Sequence, residues 1–163
     1  MKPVYPLTIQ TDHDLEVVII REFDAPRELL FRCHTEADLV RQWLLGPPGW
    51  TMPVCEIDAR VGGKYRYVWK KDSGAEMGMG GLFREIARPE RIVNTQLFDQ
   101  DWTGGETIGT MTLAESNGKT MLHNVIVYAL GSQQYSSFLW EPIRSCICSR
   151  YIRRGASPCT IRN

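Results

Sequence analysis

From residue 50 to residue 128, segments typical of β-strands follow one another with only short turns between them. The predicted strands span 50–57, 65–69, 76–86, 91–98, 106–114 and 120–128, and Gly, Pro, Asn, Asp or Ser residues fill the turns. Consecutive strands joined by short turns pair in antiparallel fashion. This run therefore predicts a six-stranded antiparallel meander, and it excludes a parallel sheet, which would need a helical crossover after each strand.

Two short helices are predicted before this meander. Residues 16–23 are rich in β-branched side chains and predict one more strand, after which Asp24 and Pro26 supply an N-cap and a first helical turn. A helix over 26–33 and a second over 36–44 follow, the second opened by Thr35 and Asp38 in the spacing of a capping box. We therefore expect one α+β domain over residues 1–163, with a polar leader at 1–14.

The two faces of the segment 64–70 differ sharply in chemistry. Aromatic residues (Tyr65, Tyr67 and Trp69) alternate with mostly basic ones (Lys64, Arg66 and Lys70). Because successive side chains of a strand point to opposite faces, a change of register by one residue would bury three cations. The aromatic side chains are therefore predicted to point inward and the basic ones to solvent.

Composition excludes several classes of partner. Lys plus Arg and Asp plus Glu number 19 each, so there is no net field to attract nucleic acid. No apolar run approaches the roughly 18 residues of a membrane span, and no secretory signal precedes the domain, so we expect a cytoplasmic protein without membrane insertion. Five cysteines in a scattered, odd-numbered set indicate free thiols.

No cofactor or metal is expected. Cys146 and Cys148 form a C-x-C pair without the second pair that a zinc site needs. Glycine-rich loops that bind phosphates or dinucleotides are missing from the sequence, as is the G-x-S-x-G element of nucleophilic hydrolases.

Five motifs in a fixed order carry a family resemblance. They are REFDAP at 21–26, Trp43 with Gly-Pro at 46–47, CEIDARVGG at 55–63, GLFREI at 81–86 and PERIV at 89–93. Together they resemble the family of homologues of the activator of heat-shock-protein ATPase, within the START-like, polyketide-cyclase-like superfamily, over about residues 15 to 128. The resemblance implies a helix-grip fold, in which a curved antiparallel sheet of about seven strands encloses a cavity beneath a long C-terminal helix.

The C-terminal residues depart from that family pattern. Residues 131–163 contain Pro142, Gly155 and Pro158 where a long amphipathic helix is expected. Natural divergence and a shifted reading frame both remain open. The best remaining helix is 141–153, which we expect to cover the sheet with Phe138, Trp140, Ile143 and Ile147, whereas 154–163 is predicted to be loosely held.

Nine apolar side chains are candidates for lining a ligand cavity. They are Trp43, Tyr65, Tyr67, Trp69, Met77, Met79, Phe83, Met111 and Leu113. Aromatic and methionine side chains offer large, adaptable apolar area, which suits an irregular pocket, and a solid core is the alternative.

Polar candidates are fewer. Glu106 and His123 are weak candidates for polar anchors or an acid/base pair, against a purely structural role. His34 is interpreted as a favourable charge at a helix C-terminus. Asp58, Arg60, Gly62 and Gly63 are interpreted as a structural turn with an ion pair.

Three functions from different classes remain open. The first is the binding of a small hydrophobic or amphipathic ligand in the cavity. The second is a protein-interaction role like that of the chaperone ATPase activator, with a chaperone or a second copy of the chain as partner. The third is an enzyme of the cyclase or hydrolase type that uses the cavity. Convergent titratable groups would favour an enzyme, and an exposed apolar patch elsewhere would favour an interaction module.

Overall fold

A computed structural model describes residues 7–10, 16–45, 49–100 and 103–129, with the backbone alone at 7–10. Its strands are β1 (Leu7–Gln10), β2 (Glu16–Phe23), β3 (Trp50–Ile57), β4 (Lys64–Lys71), β5 (Glu76–Ala87), β6 (Arg91–Phe98), β7 (Thr107–Ser116) and β8 (Lys119–Val127). Its helices are α1 (Arg27–Thr35) and α2 (Ala37–Trp43). Every predicted strand is present, and so are both short helices predicted before the meander.

The eight strands form one curled antiparallel sheet in the order β1-β2-β8-β7-β6-β5-β4-β3. The meander from β3 to β8 is confirmed, and β2 closes onto β8 with Glu16 opposite Val127 and Phe23 opposite Thr120. Pairing of the first long strand with the last places residues about a hundred positions apart side by side, which no local pattern predicts.

Within the polar leader predicted at 1–14, Leu7–Gln10 forms the edge strand β1, antiparallel to β2, which the sequence did not predict. The sheet therefore has eight strands rather than about seven. Leu7 and Ile9 do alternate with polar residues, but a four-residue alternation is too short to distinguish a strand from a polar terminal segment.

The two helices lie against one side of the sheet, which we call the inner face; the other side is the outer face. Leu30, Phe31 and Val40 of the helices belong to one buried cluster with Tyr65 and Leu122 of the sheet. Burying each large apolar side chain stabilises the fold by roughly 1.5–3 kcal/mol. This cluster joins α1 and α2 to the inner face.

The predicted inward face of β4 is confirmed. Tyr65, Tyr67 and Trp69 are 4%, 7% and 4% exposed, whereas Lys64 and Lys70 are exposed and Arg66 is half-buried in an ion pair on the outer face. Because the aromatic side chains lie on the helix side, the rest of the inner face follows from the strand register.

The turn before β4 is the structural element that the sequence predicts. Gly62 has φ +77°, a conformation that favours glycine, and Arg60 binds the Asp58 carboxylate at 2.8 Å. A Cβ on Gly63 would lie 2.0 Å from the Asp58 carbonyl oxygen, so a larger residue does not fit. Both charged side chains are exposed, in keeping with a structural role.

Both predicted helix caps are wrong. The helix α1 starts after Pro26 and has no side-chain hydrogen bond at its N-cap, so Asp24 does not cap it. Glu36 is the N-cap of α2, and the Thr35 hydroxyl instead donates to the Phe31 carbonyl oxygen at 2.9 Å. Only one residue separates the helices, so Thr35 ends the first helix and is not available to open the second.

Two of the five cysteines are described, and both Cys33 and Cys55 are buried and form no disulfide, as predicted. The predicted covering helix at 141–153, its packing residues and the tail at 154–163 lie outside the described residues. The extent of the domain over residues 1–163 stays a prediction.

Candidate functional site

A ladder of aromatic rings occupies the inner face of β4 and β5. The ring centroids of Tyr65 and Tyr67 are 5.0 Å apart, those of Tyr67 and Trp69 are 5.9 Å apart, and Phe83 lies 5.4 Å from Tyr65. Three of the rings come from alternate residues of one strand, which places them on one face. Such tilted and edge-on pairs form a stable apolar surface.

The predicted methionines and Leu113 share this face. Met79 stands opposite Tyr67, Met77 stands opposite Trp69, and Met111 and Leu113 belong to the same cluster. The structure thus places eight of the nine predicted lining residues on the inner face of the sheet, and their contact with a ligand stays a prediction.

Trp43, the ninth candidate, lies on α2 and joins the two helices. Its indole N–H donates to the Cys33 carbonyl oxygen at 2.8 Å, and its ring lies 5.0 Å from the His34 ring. Trp69 similarly donates to the Leu44 carbonyl oxygen at 2.7 Å. Both indole N–H groups therefore hold the helices in place rather than remaining available to a ligand.

The hydroxyl of Tyr65 is fully engaged. It donates to the Thr95 carbonyl oxygen at 2.6 Å and accepts from the Asn94 side-chain amide at 2.9 Å. Burial raises the pKa of Tyr65 well above its usual range, and burial likewise raises the pKa of Tyr67. Both phenols are therefore neutral at neutral pH.

A second part of the inner face is polar, which sequence reasoning missed. Asn94 and Gln96 of β6 stand opposite Gly109 and Thr107 of β7, and Asn124 of β8 stands opposite Met111. All three amides alternate with outward residues, and their strands also carry inward apolar residues such as Ile92 and Leu122. The one available signal was a polar residue at an inward position of the alternating pattern in 91–98.

A glycine makes room for these amides. A Cβ on Gly109 would lie 2.7 Å from the Gln96 amide nitrogen and 3.1 Å from the Asn94 amide oxygen. Within the described part of the chain, the side-chain amides of Gln96 and Asn124 form no hydrogen bond, although both residues are half-buried. Their donors and acceptors are available on the inner face.

Glu106 and His123 do not form an acid/base pair. His123 stands opposite Thr112, whereas Glu106 precedes Thr107, so the two are separated by roughly 20 Å along the strand direction. Glu106 is exposed and binds Arg84 at 3.2 Å, and His123 alternates with inward Leu122 and so faces outward. The predicted acid/base pair is therefore wrong. The sequence shows that both side chains can titrate, but it does not show how far apart they lie in the sheet.

His34 does not act as a helix C-terminal charge. Its Nδ1 lies 2.7 Å from the Leu30 carbonyl oxygen, and burial lowers the pKa of the imidazole below its usual value. The ring is therefore neutral at neutral pH and donates to that carbonyl.

Other kinds of site find no support in the described residues. Among them, no group of three or more His, Cys, Asp or Glu side chains is placed to hold a metal. No helix in the same ranges is long and apolar enough to cross a membrane. A depression of about 130 Å³ between Arg66, Gly78 and Asp99 is smaller than the roughly 300 Å³ of a typical ligand pocket.

Comparisons with known proteins agree with this architecture. A crystal structure of a protein from Rhodobacter sphaeroides is 25% identical, with a TM-score of 0.81 over 91% of this chain and 97% of that one. One from Chromobacterium violaceum is 26% identical, with a TM-score of 0.74 over 84% and 96% of the two chains. An HSP90 activator from Plasmodium falciparum, 21% identical, has a TM-score of 0.60 over 86% and 96%.

No curated protein sequence matches the chain at a significant level. Residues 24–134 match the family described as "Activator of Hsp90 ATPase homolog 1-like protein". That match covers more than half of the chain and includes both helices, the turn at 58–63 and every strand from β3 to β8. The chain therefore belongs to the family of activator of Hsp90 ATPase homolog 1-like proteins.

Proposed function

We propose that this protein binds a small amphipathic ligand on the inner face of its sheet. The observation that carries the proposal is the division of that face into an aromatic part around Tyr65 and Tyr67 and a polar part around Gln96 and Asn124. A ligand with an apolar body and a polar end matches both parts at once.

Unpaired amides argue against a solid core at this face. A buried polar group without a hydrogen bond costs roughly 1–3 kcal/mol, and folded proteins leave few such groups. Gln96 and Asn124 are half-buried on a face that elsewhere packs tightly, yet neither amide has a partner in the described residues. Gly109 leaves room for the side chains of Gln96 and Asn94, which lie directly over it. These features favour a site that water or a ligand fills.

Filling that space tests the proposal. Titration calorimetry with 1-decanol, a neutral amphipath, should detect binding to the wild-type protein, and Gly109→Val should weaken it at least about tenfold because the added methyl groups meet Gln96 and Asn94. Thr110→Val is the matched control, since Thr110 is the next residue of β7 and faces outward. Absence of decanol binding to the wild type, or equal loss in both variants, would contradict the proposal.

A protein-interaction role is the second candidate, and an outer-face patch favours it. Val61, Leu82 and Leu97 are 63%, 40% and 48% exposed. Leu97 stands opposite Gly80, two residues from Leu82, and Val61 precedes Gly62, which binds the Phe83 carbonyl oxygen. These three side chains therefore lie near one another, on the side away from the inner face.

The family name and the HSP90 activator from Plasmodium falciparum suggest a chaperone as the partner of this patch. If so, Leu82→Lys should abolish any stimulation of Hsp90 ATPase by this protein, and Gly109→Val should leave it unchanged. Stimulation that survives Leu82→Lys would exclude the patch as the contact.

A further inference from the structure

Arg21 is a cation on the inner face. It lies two residues before Phe23 on β2 and therefore on the same face, and it stands opposite Leu122; Phe23 and Leu122 both belong to the buried cluster. The neighbouring Glu22 points the other way and binds Lys119 at 3.2 Å. The guanidinium therefore belongs to the face that we propose as the ligand site.

Arg21 differs from the other arginines of the described residues. The other eight all bind a carboxylate or a backbone carbonyl oxygen: Arg27, Arg32, Arg41, Arg60, Arg66, Arg84, Arg88 and Arg91. Arg21 has no hydrogen bond, and its Nε is buried without a partner. Its terminal nitrogens also lack partners but are not buried, so they can still be reached.

A contact with Phe23 holds the guanidinium in place. The Arg21 Cζ lies 5.0 Å from the centre of the Phe23 ring, within the range of a cation–π interaction. Such a contact uses no hydrogen bond, so the terminal nitrogens of the guanidinium keep their donors available. The charge is permanent because arginine does not deprotonate in proteins, and a partly buried charge is costly unless it is paired.

We infer that Arg21 binds the carboxylate of an amphipathic monocarboxylate ligand through its two terminal nitrogens. This inference rests on the proposed function and names the ligand's class. The planar guanidinium matches a carboxylate with two parallel hydrogen bonds, and the buried Nε leaves the end of the fork for this purpose. The ligand's apolar body then lies along the adjoining apolar residues of the inner face, such as Met111 and Leu113.

Decanoate and 1-decanol form a matched pair of probes, since they differ only in the head group. We expect the full-length wild-type protein to bind decanoate at least about tenfold more tightly than decanol by titration calorimetry. Arg21→Met should abolish this preference while keeping the affinity for decanol, which also reports that the variant is folded. Arg84→Met is the matched control, because Arg84 is exposed and pairs with Glu106; it should keep the preference.

Each outcome separates the two claims. Equal binding of decanoate and decanol to the wild type would overturn the carboxylate inference and leave the proposed function intact. Binding of neither would overturn both, and a preference that survives Arg21→Met would exclude Arg21 as its source. Should Arg21→Met fail to fold, Arg21→Lys decides: the inference expects a reduced preference, since lysine keeps the charge without the fork, and an unchanged one overturns it.

Discussion

Two parts of the inner face, each predominantly on its own strands, differ in how completely their polar atoms are paired. Around β4 and β5, the Tyr65 hydroxyl and the Trp69 indole N–H both have backbone partners. Around β2, β6 and β8, Arg21, Gln96 and Asn124 have none in the described residues. The paired groups of the first region hold strands and helices together, although the Tyr67 hydroxyl there has no hydrogen bond in the described residues. The second region leaves a guanidinium and two amides without protein partners, so water or a ligand can bind them.

The largest effect should come from removing a ring of the paired region. Phe83→Ala deletes a side chain that is 4% exposed and contacts Tyr65, and we expect a loss of about 3–5 kcal/mol in the free energy of unfolding. Urea denaturation followed by circular dichroism measures it. Leu82→Ala is the control, because Leu82 is the exposed neighbour of Phe83 and its truncation should cost far less. Equal losses would mean that the aromatic ladder is not the stabilising part.

The second-largest effect should come from alkaline pH, which acts on the buried tyrosines of the same aromatic region. Burial raises the pKa values of Tyr65 and Tyr67, so their neutral forms favour the folded state. That stability is fully present below the unfolded pKa of about 10 and is lost as pH rises above it, by about 1.4 kcal/mol per pH unit for each tyrosine. Burial also raises the pKa of Cys55 to about 11, which adds a loss of the same sign from about pH 9.

Thermal unfolding between pH 8 and pH 12 measures this effect, with tyrosinate absorbance recorded alongside. The two tyrosines should ionise only as the protein unfolds. Ionisation of all described tyrosines near pH 10 in a protein that stays folded would contradict their burial.

A smaller loss is expected from Tyr65→Phe. The change removes one hydroxyl and with it the 2.6 Å hydrogen bond to the Thr95 carbonyl oxygen and the 2.9 Å hydrogen bond from the Asn94 amide, which keep only their long mutual contact of 3.4 Å. Unpaired buried groups of this kind cost roughly 1–3 kcal/mol. Tyr67→Phe is the matched control, because Tyr67 has no side-chain hydrogen bond in the described residues and should cost less. The reverse order would show that the network contributes little.

The smallest effect on stability should come from the unpaired region. Gln96→Leu keeps the size of the side chain and removes an amide that has no hydrogen bond, so the free energy of unfolding should change by less than about 1 kcal/mol or should rise. Denaturant midpoints measure it. A loss as large as that of Phe83→Ala would show that Gln96 has a structural partner and would remove the contrast between the two regions.

Local patterns in the sequence were enough to determine the meander, both helices, the inward aromatic face of β4 and the turn at Asp58 and Arg60. The strands depend on alternation within one segment, the helices on helical spacing of apolar residues, and the turn on glycine φ angles, so neighbouring residues carry the information. The five motifs between residues 21 and 93, read together, likewise identified the family.

Only the tertiary structure decided which polar side chains share a face. Arg21, Gln96 and Asn124 come from three strands, and their common side follows from the pairing of β2 with β8 and of β7 with β6 and β8. The same pairings separate Glu106 from His123. Alternation tells which residues of one strand face the same way, but which strands become neighbours depends on burying the whole inner face against the helices, a property that no single segment contains.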